Sequence, residues 1–119
     1  MATIKAYKNR DNGQPYTFTT LAAPGATSDV LDMGGCEDIV FQYTIATMNT
    51  TVVVRGEGSL DNSSWFNLDT DEQDTTQTAD GTYAMQYSGR VGFVRFRFVS
   101  ETGGTAATVA IKAYIGRAI

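Results

Sequence analysis

Apolar and polar residues alternate along most of this chain with a period of two, the pattern of strands that bury every second side chain. It is clearest from Arg90 to Gly116, where two alternating runs flank a glycine-bearing turn. In the first, Val94, Phe96 and Phe98 share one face and Phe93, Arg95, Arg97 and Val99 the other. In the second, Ala107, Val109, Ile111, Ala113 and Ile115 alternate with Thr108, Lys112 and Tyr114. Read locally, the two runs form a β-hairpin with a Val/Phe/Ile core face and an outer face of Arg, Lys and Thr. Phe93, Arg95, Arg97 and Lys112 then lie together on the outer side, where function is to be sought.

The same pattern organises the rest. TIKAYK, residues 3–8, alternates weakly into Asp11-Asn12-Gly13, a hairpin turn signal, with YTFTTL as the returning strand. AAPGAT breaks pairing, and SDVLDM adds a short edge strand before Gly34-Gly35. EDIVFQYTIAT reads as a core strand, with Ile39, Phe41, Tyr43 and Ile45 on one face. TVVVRGEGS follows, and because glycine inside a strand marks a bulge or a close approach by another backbone, a bend is expected near Gly56. Asp61-Asn62-Ser63-Ser64 is turn chemistry, after which Trp65, read as core, and Phe66 open a short strand. DTDEQDTTQTAD, residues 69–80, is the least structured stretch by composition, and GTYAMQY sets Tyr83, Met85 and Tyr87 on one face. No helical period is present. Eight to nine short strands in 119 residues predict an all-β, antiparallel β-sandwich, of which the jelly roll is one form, over a single domain, residues 1–119.

Composition narrows the chemistry more than it directs it. A chain of 119 residues can bury a core without staples, and the single Cys36 cannot form an internal disulfide. With no histidine, Ser-His-Asp and Cys-His catalysis and histidine metal ligation are excluded. A net charge of −4 argues against general affinity for nucleic acid, and no apolar run approaches the roughly eighteen residues of a membrane span. No apolar leader opens the chain, so a soluble, unexported protein is expected. Charge is uneven: residues 57–80 hold seven acids and no base, whereas 90–117 hold five bases and one acid, and Lys5, Lys8 and Arg10 make the start basic. In an assembly, the acidic middle of one subunit could face the basic ends of another.

Asp69, Asp71 and Asp80 occupy the first, third and twelfth places of a Ca²⁺ loop, but the sixth is Asp74 instead of glycine and the last is not Glu. They form a weak calcium candidate. Carboxylate pairs for glycoside hydrolysis can be drawn from Glu57, Asp61 and the loop acids, as in any acidic sandwich, and no catalytic residue or cofactor is expected. Outward aromatics, Tyr7, Phe93 and Tyr114 by parity, suit an interface or a stacking platform.

The stretch from Gly58 to Trp65 (GSLDNSSW), then Gly81-Thr82-Tyr83-Ala84 and Gly92-Phe93-Val94-Arg95-Phe96-Arg97, resembles small β-sandwich virion proteins of tailed bacteriophages over about the C-terminal half. Related signatures occur in carbohydrate-binding and discoidin-like sandwiches. The resemblance implies a non-enzymatic subunit of the virion, made in the host cytoplasm, that decorates the head and binds the major capsid protein as a homo-oligomer, a trimer by preference. It offers Lys5, Lys8, Arg10, Phe93, Arg95, Arg97, Lys112, Tyr114 and Arg117 as contact residues. A glycan-binding module of a tail fibre or adhesion apparatus is the alternative.

Overall fold

The computed structural model describes residues 3–5, 15–34, 37–69, 71–89 and 91–115. Among them ten strands form two sheets: β1 (Thr3–Ile4), β2 (Tyr16–Thr17), β3 (Val30–Asp32), β4 (Asp38–Ala46), β5 (Thr51–Ser59), β6 (Phe66–Asn67), β7 (Thr75–Gln77), β8 (Gly81–Ser88), β9 (Phe93–Thr102) and β10 (Thr108–Ile115). One sheet runs β1-β3-β9-β5-β6, with β7 also paired to β5, and the other runs β2-β10-β4-β8. All pairs are antiparallel except β1 with β3. The predicted all-β sandwich is therefore the fold.

Between the sheets lies one apolar core, and alternation assigns its residues correctly. Val94, Phe96 and Phe98 of β9 and Val52 and Val54 of β5 face Ile39, Phe41, Tyr43 and Ile45 of β4 and Val109 and Ile111 of β10, all of them buried. Phe96 sits against Phe41 with ring centroids 5.4 Å apart and against Tyr43 at 5.1 Å, so aromatic contacts join the two sheets. Burial pushes the Tyr43 hydroxyl pKa up, and that hydroxyl accepts a hydrogen bond from Gln77 Nε2 at 3.0 Å. A polar group in the core is thus satisfied by β7, and the stretch read as least structured is pinned by a strand of its own.

Partner choice departs from the local reading. β9 pairs with β5 and β3, whereas β10 pairs with β4 and β2, so the 90–116 stretch is an arch that crosses between sheets and not a hairpin. Likewise β1 and β2 lie in different sheets, although their expected turn at Asp11-Asn12-Gly13 is outside the described residues. β3 is no edge strand, because β1 and β9 flank it. Beyond it, segment 25–28 continues along β9 through Gly25 N to Phe98 O and Ser28 N to Phe96 O, so pairing resumes directly after the Pro24-Gly25 turn.

The irregularity of β5 does not lie at Gly56. Pairing with β9 runs unbroken through Gly56 and Gly58, and the register shift lies at Val53/Val54, where Val99 is the extra residue on β9. The glycines serve close approach instead. A Cβ at Gly58 would stand 2.7 Å from Leu68 Cδ2 and 2.9 Å from Val91 Cγ2, and one at Gly56 would stand 3.1 Å from Met85 Sδ. Leu68 takes the buried place expected of Trp65, which stays half-buried outside the core.

The bulge at Val99 has a second effect. Inserting one residue reverses the alternation, so Glu101, paired with Val52, turns to the core side at the end of the sandwich. There its carboxylate accepts from Asn49 N at 3.0 Å and Asn49 Nδ2 at 2.9 Å through one oxygen, and from Ala107 N at 3.0 Å through the other. One side chain thus ties the β4–β5 turn to the β9–β10 arch. Burial alone would raise the Glu101 pKa, but these amide hydrogen bonds outweigh it and lower it.

Candidate functional site

The sandwich presents two outward faces of opposite character. On the β5–β9 face, Glu57 is paired with Arg95 and Arg55 with Arg97, so four ionisable side chains stand side by side. Glu57 is only 4% exposed although it points away from the core. Two guanidiniums close over it: Arg95 Nε donates to Oε1 at 2.7 Å and Arg55 Nη1 to Oε2 at 3.2 Å. Arg55 also grips Asp74 with two parallel bonds, Nε to Oδ1 at 2.7 Å and Nη2 to Oδ2 at 3.0 Å, while Asn67 Nδ2 donates to the same Oδ1 at 3.0 Å. Asp74 reaches this position because β6 and β7 both pair with β5 and carry the intervening loop across it.

The Arg55 hydrogen bonds hold the Asp74 carboxyl below its usual range, and Asp74 in turn raises the Arg55 guanidinium. Trp65 completes the cluster, its ring centroid 4.1 Å from the Arg95 guanidinium carbon. Next to it the Nε of Arg97 is buried without a hydrogen-bond partner among the described residues. This face is a charge ladder whose members answer one another. Arg55 and Arg95 are engaged within the subunit, which limits what they can offer to a partner.

The β10–β4–β8 face is almost uncharged. Outward positions are Val40, Gln42, Thr44 and Ala46 on β4, Thr82, Ala84, Gln86 and Ser88 on β8, and Thr108, Ala110, Lys112 and Tyr114 on β10, with Asp38 at one end. Thr44 and Thr82 share a hydrogen bond at 2.9 Å between their hydroxyls. A depression of about 150 Å³ lies between Thr17, Thr20, Gln42, Thr44 and Lys112. At the side of the sandwich a cleft of about 70 Å³ opens between β8 and the β6–β7 loop, lined by Met85, Tyr87, Leu68 and Gln73. Both are far below the roughly 300 to 1,000 Å³ of cavities that enclose a small ligand.

The residues named from sequence are divided by this geometry. Phe93, Arg95 and Arg97 lie on the β5–β9 face and Lys112 and Tyr114 on the opposite one, so the single functional face expected of a hairpin does not exist. Tyr114 is 44% exposed, Phe93 is half-buried, and Lys5 is exposed after β1. Lys8, Arg10, Arg117, Tyr7 and Cys36 fall outside the described residues. The calcium candidates are engaged separately: Asp80 accepts from Thr47 N and Met48 N, and Asp69 accepts from Asp71 N. Among the described residues no three acidic, histidine or cysteine side chains gather to hold a metal. The sequence reading missed the Arg55-Glu57-Asp74 cluster. Its trace was an Arg-x-Glu pair alternating with buried positions, which needed an opposing Arg-x-Arg strand to become meaningful.

No protein-family model and no curated protein matches the sequence. Among solved structures, the SPBc2 prophage-derived protein YomS has a similar fold, with a TM-score of 0.59 and 14% identity over 87% of this chain and 92% of that one. A CBM4 structure aligns with a TM-score of 0.47 and 13% identity over 95% of this chain and 83% of that one.

Proposed function

We propose that this chain is a non-enzymatic structural subunit of a phage particle, a head-decoration protein that docks on the major capsid protein in many copies. The observation that carries the reading is the nearly uncharged β10–β4–β8 face. Short side chains such as Thr44, Thr82, Ala84 and Ala110 allow a second protein surface to approach closely over a broad area, and little charge has to be desolvated. Modest contacts suffice when copies act together, because multivalence raises avidity without strengthening any one site. A sandwich fold similar to that of a prophage-derived protein accords with this role.

The test is pelleting of purified protein with undecorated shells. Binding is expected, and Gln42→Lys combined with Ala110→Lys should weaken it at least tenfold while circular dichroism stays unchanged. A chain that ignores shells but is retained on a polysaccharide column would sink the proposal in favour of glycan binding.

A further inference from the structure

Among the described residues five strands have an open side, and four of them are too short to recruit another chain. β1, β2 and β6 have two residues each and β7 has three. β8 differs. It has eight residues, Gly81–Ser88, and forms the end of its sheet with β4 on one side only. No hydrogen bond links its outer backbone edge to any described residue outside the sheet. It also lacks the usual guards: the segment GTYAMQYS has no charge, no proline and no register shift against β4.

We infer that β8 pairs with β8 of a second copy, antiparallel across a two-fold axis, joining two four-stranded sheets into one of eight. Side-chain parity restricts the register. Opposed residues must point to the same face, so an outward residue such as Ala84 can meet only another outward residue, and the axis must pass through a residue position and not between two. With the axis at Met85, Tyr83 meets Tyr87 of the partner subunit and Ala84 meets Gln86 of the partner subunit. With the axis at Ala84, Thr82 meets Gln86 of the partner subunit. Neither register opposes like charges, because the segment carries none, and both set side chains of the same face opposite one another.

The half-buried Tyr83, Met85 and Tyr87 gain cover in such a pair, and the cleft lined by Met85 and Tyr87 comes to lie beside the partner's inner face. A two-fold contact of this kind closes at two copies, which favours a dimer over a trimer and stands independently of shell binding.

Light scattering on the sized protein tests this against the monomer mass of 12.8 kDa. A mass twice that value is expected, with amide exchange in β8 slowing as concentration rises. Ala84→Lys with Gln86→Lys opposes like charges in both registers and should raise the dimer dissociation constant at least tenfold. Ser100→Lys, exposed on the other sheet, should leave it unchanged and shows that added charge alone is not the cause. A wild-type protein that stays at 12.8 kDa throughout the micromolar range would overturn the inference. So would a dimer unaffected by the double substitution, or one whose β8 amides exchange alike at all concentrations.

Discussion

The outer faces of the two sheets are both built by residues alternating with a buried core, yet one is a ladder of ion pairs and the other is a plain of threonine, glutamine and alanine. On the β5–β9 face, Glu57, Arg95, Arg55 and Asp74 hold one another and hide a carboxylate from water. On the β10–β4–β8 face, the described side chains are joined by links as slight as the Thr44–Thr82 hydroxyl pair. Charge on a strand surface therefore does not by itself mark a docking site. A charge already answered within the subunit stabilises the subunit, and a neutral face leaves more of its surface free for a partner.

Substitutions can test that contrast, beginning beneath both faces. Phe96→Ala removes a fully buried ring from between the sheets and should cost about 3 to 5 kcal/mol in denaturant unfolding. Glu57→Ala leaves Arg95 and Arg55 without the carboxylate between them and should cost about 2 to 3 kcal/mol, against almost nothing for Gln86→Ala on the neutral face. Gly58→Ala forces a Cβ against Leu68 and Val91 and should cost about 1 to 3 kcal/mol. Thr44→Ala should cost only about 0.2 to 1 kcal/mol, the worth of a cross-strand pair.

Acid titration sharpens the comparison further. The Asp74 carboxyl is depressed below its usual 3.8, so its contribution is whole above that value and is lost as pH falls through the lower folded-state pKa. Stability should thus fall below about pH 4, and Asp74→Asn should flatten part of that fall. If the slope of unfolding free energy in this range is the same in both proteins, the Arg55–Asp74 pair is not a source of it.

Alternation revealed which side chains are buried but not which strands are neighbours. Val94, Phe96, Phe98, Val109 and Ile111 were legible as core because burial needs only the period of the strand itself. Their lateral partners were not, since a glycine turn at Gly103 serves a hairpin or an arch equally well and the decision rests on segments far away in the chain. Trp65 was misplaced for a related reason. The space over Gly56 and Gly58 is shaped by both sheets, and it accommodates Leu68 while Trp65 lies under Arg95. The charge ladder was hidden for the same reason, for Arg55 and Glu57 acquire meaning only when β9 and the β6–β7 loop arrive beside them.

The arch between β9 and β10 also bears on how the protein comes to be folded. β10 is the last of its sheet's four strands in chain order and lies in the interior of that sheet, between β2 and β4. β9 likewise sits between β3 and β5, with Val94 joined to Leu31 and Val54 to Phe98. During synthesis neither sheet can close around its centre until these late strands emerge, and each must then insert between partners made long before. Such distant pairings carry the loop-closure cost that slows β-sandwich folding to milliseconds or seconds. Until then β4 lacks one neighbour, and its row of Ile39, Phe41, Tyr43 and Ile45 is exposed in the nascent chain. The assembling cell has to keep that row from finding another chain first.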